Sequence, residues 1–269
     1  MLLYALLIAA SSVLAQTPKN EYGSPGIQIV PVESSPESDN VKLVIENPSE
    51  GGVKEENLVN VEMHLKGYPL GTQSDFPRKK EIWNDPKGQN VHVFIDNEPY
   101  YVVDEWFVNA LDNSELYFDE TLEFKIPFRL KPGAHVIRAF PVRSYNESLK
   151  GAGCFVARTF YFQKKGELKN IDLSLPYLTY NEPQDEYDYP ARQPILLDFY
   201  VTNCQISRDG YKVAVYIDGH KERLLTQWGP SYIYGLKQGS HKVRLQLIDP
   251  EDQPVPGLFN DTTRVIRLK

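Results

Sequence analysis

The chain has 269 residues, with 29 Lys and Arg against 36 Asp and Glu and a formal net charge of −7. That length suits one large domain or two of ordinary size, and the acid excess argues against a nucleic-acid or anionic-membrane binder, which needs the opposite sign. Prolines (20) outnumber glycines (17) and aromatics make up 12% of residues, a composition that favours strands and turns over helices.

Residues 2–14 are almost wholly apolar, broken by Tyr4, Ser11 and Ser12. A bilayer-spanning helix takes roughly 20 residues, so this run is too short. It reads as a signal peptide over residues 1–15, with Val13-Leu14-Ala15 as a small-residue cleavage site before Gln16. No Lys or Arg precedes the run, which departs from the usual pattern. Residues 16–39 are rich in Pro, Ser, Glu and Asn with little apolar periodicity, and read as a flexible leader. No later run is long and apolar enough to span a membrane, so no transmembrane segment is expected in the mature chain.

Beyond the leader, one unit is written twice. The first copy has Val61-Glu62-Met63-His64-Leu65, then Val91-His92-Val93-Phe94-Ile95-Asp96-Asn97, then Leu130-Lys131-Pro132-Gly133-Ala134-His135-Val136-Ile137-Arg138. The second has Leu197-Asp198-Phe199-Tyr200-Val201, then Val213-Ala214-Val215-Tyr216-Ile217-Asp218-Gly219, then Leu236-Lys237-Gln238-Gly239-Ser240-His241-Lys242-Val243-Arg244. The spacing between copies falls from 136 (61 to 197) to 122 (96 to 218) to 106 (130 to 236), so the first copy carries 14 and then 16 extra residues. These fall within 71–90 and 98–128, where surface loops tolerate length.

Each block reads as a strand. Val213, Val215 and Ile217 alternate with Lys212, Ala214 and Tyr216 up to an Asp218-Gly219 turn, and Val243, Leu245 and Leu247 alternate with Lys242, Arg244 and Gln246. Gly133 and Gly239 precede such strands, where a positive φ lets the chain reverse. No segment keeps a helical period over ten residues. The expectation is an all-β chain: two tandem immunoglobulin-like β-sandwiches, 40–165 with enlarged loops and 166–269.

His135 and His241 occupy matched places at the start of a strand. Burying an unpartnered imidazole costs about 1–3 kcal/mol, so each is expected to bond a loop carbonyl or the turn aspartate, Asp96 or Asp218. His64, His92 and His220 lack metal-ligand spacing, and no metal is expected. Cys154 and Cys204, 50 residues apart, are either one disulfide or two buried thiols; spacing leaves both open. The acidic stretch 180–189 and the group Glu115, Asp119, Glu120 and Glu123 read as solvated loops, with calcium ligation as the less favoured alternative.

The duplicated pattern, Val-x-Val-x-Ile-Asp-Gly followed by Leu-x-x-Gly-x-His-x-x-Arg, resembles bacterial extracytoplasmic immunoglobulin-like or fibronectin-III-like repeat modules over most of residues 40–269. Asn97 replaces the turn glycine in the first copy. The resemblance implies a β-sandwich used for spacing, adhesion or ligand binding in exported proteins. No nucleophile elbow, phosphate loop, zinc-protease helix or dinucleotide fingerprint is present, so neither catalytic residues nor a cofactor are expected. The reading is an exported, non-catalytic binding or spacer module, periplasmic, cell-surface or secreted, whose partner is a protein or glycan surface component. The alternative is a carbohydrate-binding or carbohydrate-processing accessory. In either case Trp83, Tyr100, Tyr101, Trp106 and Phe107, in or beside the additions of the first copy, are the candidate contacts. The competing role for these aromatics is to cover the sandwich ends.

Overall fold

The computed structural model describes residues 23–56, 58–103, 106–108, 119–166, 172–188 and 194–269. The expected signal peptide lies outside them. The described residues are all-β, with one short 3-10 turn at Pro77–Lys80. No helix among them is long and apolar enough to cross a membrane.

Two sheets enclose a first core. One runs in the order β2 (Lys42–Asn47), β4 (Asn60–Lys66), β8 (Asp119–Lys125), β7 (Trp106–Val108). Facing it is the order β3 (Val53–Lys54), β10 (Val156–Phe162), β9 (Gly133–Val142), β5 (Asn90–Ile95), β6 (Tyr101–Val102). The apolar alternation points Leu43, Ile45, Val61, Met63 and Leu65 of one sheet at Val91, Val93, Ile95, Ile137 and Phe160 of the other. Each such side chain contributes about 1.5–3 kcal/mol on full burial.

Two further sheets enclose a second core. Their orders are β11 (Tyr177–Glu182), β13 (Ile195–Thr202), β16 (Ser231–Tyr234), β1 (Gln28–Pro31), and β12 (Asp185–Tyr187), β18 (Asp261–Leu268), β17 (Gly239–Ile248), β14 (Lys212–Ile217), β15 (His220–Leu225). The two sheet pairs match strand for strand except at one edge. β3 and β12 each pair in parallel with the last strand of their copy. The β2–β4 and β11–β13 ladders shift register at equivalent points, Ile45/Asn47 and Tyr180/Glu182. Asp96 (φ 52°) and Asp218 (φ 50°) both take the left-handed conformation at the turn, which a short polar side chain tolerates.

The exceptional edge corrects the leader. Part of 16–39 is a strand rather than a tether: β1 pairs antiparallel with β16, Ile29 opposite Ile233, and Ile29 is buried in the second core. In the first sheet pair the corresponding edge, along β8, is taken by β7 from within the 98–128 addition. Only Thr226–Pro230 separate β15 from β16, too short a link to hold another strand. Segment 23–37 runs on from one sheet pair to the other. Ser24 donates from N and Oγ to Glu222 (2.7 and 2.6 Å), Ser35 donates from N to Glu147 (2.9 Å), and Glu37 accepts the Lys150 and Gly151 N–H groups (2.9 and 3.0 Å).

The disulfide alternative is also corrected. Both cysteines are free thiols. Cys154 belongs to the first core and Cys204 packs against the second, each as a small hydrophobe, and burial pushes both thiols up to about 11.

Candidate functional site

The most elaborate polar chemistry of the described residues lies where the outer face of β5, β9 and β10 meets the outer face of β11 and β13. Strand β13 is apolar on both parities, Ile195-Leu196-Leu197-Asp198-Phe199-Tyr200-Val201, because one face enters the second core and the other meets the first sheet pair. Phe140 stacks on Tyr200 with centroids 5.4 Å apart, and Phe155 stacks on the same ring at 4.7 Å. Trp228 meets Tyr200 edge-on at 5.0 Å and donates its indole N–H to the Phe199 carbonyl at 3.1 Å.

Buried polar groups thread this apolar contact in connected sets, as low dielectric requires. His92 stacks on Tyr100 at 3.6 Å, and its Nδ1–H donates to Asn181 Oδ1 at 2.7 Å. That tautomer follows because the Asn181 amide nitrogen donates elsewhere, to Asp198 and the Asn146 carbonyl, both at 2.8 Å. Burial drives the His92 pKa down to about 3, against the opposing Asn181 bond and Asp198 charge, so the ring is neutral. Asp198 is fully buried and also accepts from Ser148 Oγ and Lys150 Nζ, each at 2.7 Å. Arg138 spans the junction: it lies 3.6 Å over the Phe259 ring, and donates to Thr179 Oγ1 (2.8 Å) and the Asp96 carbonyl (2.5 Å). Burial lowers its pKa to about 9, which leaves it charged at neutral pH.

Glu182 closes one end of the interface. It accepts from Tyr100 OH (2.5 Å), Tyr187 OH (2.7 Å), Asn146 Nδ2 (2.8 Å) and the Gln184 N–H (3.2 Å). Burial raises its pKa to about 7 despite those four donors. The acidic stretch 180–189 thus divides: Glu182 is buried, while Asp185 and Glu186 are exposed. Glu115 lies outside the described residues, while Asp119, Glu120 and Glu123 are corrected from a loop to strand β8, paired with β4. Among the described residues, no three His, Cys, Asp or Glu side chains gather as a metal site.

The 71–90 addition fastens the junction. Arg78, in the 3-10 turn, is 2% exposed. It pairs with the buried Glu147 carboxylate, donates from Nε to Tyr232 OH at 3.0 Å and from Nη1 to Ser35 Oγ at 2.8 Å, and also bonds the Glu33 carbonyl. Tyr232 in turn donates to Glu81 at 2.7 Å. One guanidinium therefore holds the addition, the segment after β1, the first sheet pair and β16.

The expected aromatic contacts separate. Tyr100 is half-buried, its ring stacked on His92 and its hydroxyl bonded to Glu182, so both serve the junction. Tyr101 is half-buried with its ring edge-on to Phe124 at 5.0 Å, and burial pushes its phenol far up. Trp83 is half-buried in a cleft with Ile82, Tyr145, Glu182, Tyr187 and Leu196. That cleft has a volume of about 20 Å³, space for one water and not for a sugar ring. Trp106 and Phe107 lie in β7, opposite Leu122 and Thr121; their side chains lie outside the described residues.

The duplicated histidines have the same geometry. His135 Nδ1 lies 2.7 Å from Asp96 Oδ2 and Nε2 2.7 Å from the Lys131 carbonyl; Asp96 Oδ1 takes the Val136 N–H at 2.9 Å. His241 repeats this with Asp218 (2.7 Å), the Lys237 carbonyl (2.9 Å) and the Lys242 N–H (2.8 Å). For His135, burial lowers the pKa but the Asp96 and Lys131 bonds outweigh it, and the net shift is upward. Gly133 (φ 140°) and Gly239 (φ 131°) supply the backbone conformation just ahead of each ring.

No protein-family model and no curated protein matches the sequence. Among solved structures, the chain is similar to the fibronectin(III)-like modules of CbhA from Clostridium thermocellum, at 14% identity and a TM-score of 0.28, over 84% of this chain and 94% of that one. It is also similar to the dimeric latent PorU of Porphyromonas gingivalis, at 15% identity and a TM-score of 0.29, covering 87% of this chain and 20% of that chain. A third likeness, to CBD12 from CALX1.2, has 10% identity and a TM-score of 0.22 over 84% of this chain and 99% of that one.

Proposed function

We propose that the protein is an exported, non-catalytic module of two tandem domains, 40–165 and 166–269, the second completed by β1, and that it works as a rigid spacer presenting a binding surface. The observation that carries this reading is the junction: ionisable groups at the centre of the molecule are spent on each other and on fixing two sheet pairs. The Trp83 cleft is too small for a glycan, so the carbohydrate alternative has no support there. The proposed contact surface is the 98–128 addition, since 71–90 is committed to the Arg78 clasp. Spin labels at exposed Lys66 and Lys242 report the spacing of the two sheet pairs, and one narrow distance distribution is expected. A broad distribution from a folded chain contradicts the rigid spacer. Export is tested by amino-terminal sequencing from the native host, which is expected to begin at Gln16; a start at Met1 overturns it.

A further inference from the structure

We infer that the edge of β16 is a strand-acceptor site, filled within the chain by β1 and able to take the same segment from a second copy. Four observations carry this. The strand that completes the sheet comes from ahead of the first sheet pair, whereas the other copy supplies β7 from its own sequence. The acceptor reads main chain along its edge, with four register pairs from Gln28↔Tyr234 to Pro31↔Ser231, the Val32 N–H on the Pro230 carbonyl at 3.0 Å, and Arg223 Nη1 on the Ile29 carbonyl at 2.7 Å. It reads sequence through one side chain, since Ile29 is 1% exposed in the second core and Ile27 packs beside it. A carboxylate, Glu222, takes the N–H and hydroxyl of Ser24 at the far end. This is strand addition with main-chain bonds for affinity and an apolar pocket for register.

The occupant that fits is the 23–37 segment of another copy, because it meets every one of these contacts unchanged. Within one chain, residues 32–41 join β1 to β2 and are themselves bonded to the first sheet pair through Ser35 and Glu37. A short tether gives an effective concentration on the order of millimolar, so the chain's own β1 wins at ordinary concentrations. Exchange therefore appears when chains refold together at high concentration, and it closes reciprocally as a two-fold dimer.

The test uses the full chain with Ile29→Asp, which disables its own β1, and a fluorescent peptide of residues 23–37. Saturable one-to-one uptake is expected by the variant, with at least tenfold less by the unmodified chain or with a peptide carrying the same Asp. A folded variant that takes up neither peptide overturns the site. Should Ile29→Asp fail to fold, a protease sequence placed at 38–40 in the otherwise unchanged chain decides the matter. After native cleavage the cut segment is expected to co-migrate with the body and to be displaced by excess peptide, and prompt release from a folded body overturns the proposal. Refolding the unmodified chain at millimolar concentration is expected to yield a discrete dimer, absent for Ile29→Asp. Peptide uptake with monomer alone at every concentration overturns the second copy as donor.

Discussion

Arg78 and Glu147 face each other with almost no water on either side, at 3% and 2% side-chain exposure. Breaking such a pair from one side leaves a buried charge without its counterion, which costs about 3–5 kcal/mol. Arg78→Ala is therefore expected to lower unfolding stability by about that amount in urea titration, and Arg78→Met with Glu147→Leu to recover much of it. Glu182 makes the opposite kind of statement. Its pKa is about 7 in the folded protein and 4.5 in the reference state, so the fold binds the proton more tightly than the unfolded chain. The resulting stability, on the order of 3 kcal/mol, is fully present below pH 4.5 and lost as pH rises through 7. His135, also raised, adds a loss in the same direction above its ordinary value of 6.5. Melting temperature is expected to fall from pH 5 to pH 8, and Glu182→Gln to flatten the part of that fall between pH 4.5 and 7.

At the scale of the element, the hairpin joining β14 to β15 and the entry to β17 are coupled by Asp218 and His241, as Asp96 and His135 couple their counterparts. His241→Ala removes both ring bonds and leaves the Lys237 carbonyl and one Asp218 oxygen to find other donors. A loss of about 1–3 kcal/mol is expected by denaturant titration, with unchanged metal content by elemental analysis. These latches and the strands beside them were legible in the sequence because period-two alternation and Asp-containing turns are local signals. Strand β1 was not, since Ile27-Gln28-Ile29-Val30 is a short β-former run inside a Pro- and Ser-rich leader and its partner lies 204 residues on (29 to 233). The junction role of Tyr100 is hidden for the same kind of reason: an aromatic beside a loop is visible in the sequence, but the Glu182 carboxylate that accepts its hydroxyl, 82 residues away, is not. The two-sided apolarity of β13 was the available sign that Asp198 and Tyr200 face another surface. Arg78 gave no such sign, being one of three basic residues in a row.

The whole molecule is joined face to face, and its outermost faces differ from the joined ones. Phe94, Arg138, Phe140 and Phe155 meet the second sheet pair, while their repeat counterparts Tyr216, Arg244, Gln246 and Asp261 form a polar set on the opposite side. Arg244 lies over Tyr216 at 4.8 Å and donates from Nε and Nη2 to the Asp261 carboxylate (2.5 and 2.6 Å), so that face is satisfied as it stands. Polar terminal faces stop a repeat stack from growing. Because the junction carries buried aromatic contacts, the chain is expected to unfold in one calorimetric transition. Phe140→Ala, costing about 3–5 kcal/mol at the junction, is expected to split that transition into two. A single transition in that variant would show that the two cores do not melt separately.

The pairing of β1 with β16 also sets an order of events during synthesis. Chains fold from the amino end as they emerge, and the first sheet pair can close once β10 has been made. At that moment β1 already exists, with Ile27, Ile29 and Val30 lacking the edge they belong to until residue 234 appears. A bare apolar strand of this kind invites pairing with the wrong neighbour. Pro25 and Pro31 bracket it, and a proline has no N–H to extend a ladder, so a mistaken partner gains few bonds. The two prolines thus act as guards on a strand that must wait for nearly the whole of the chain.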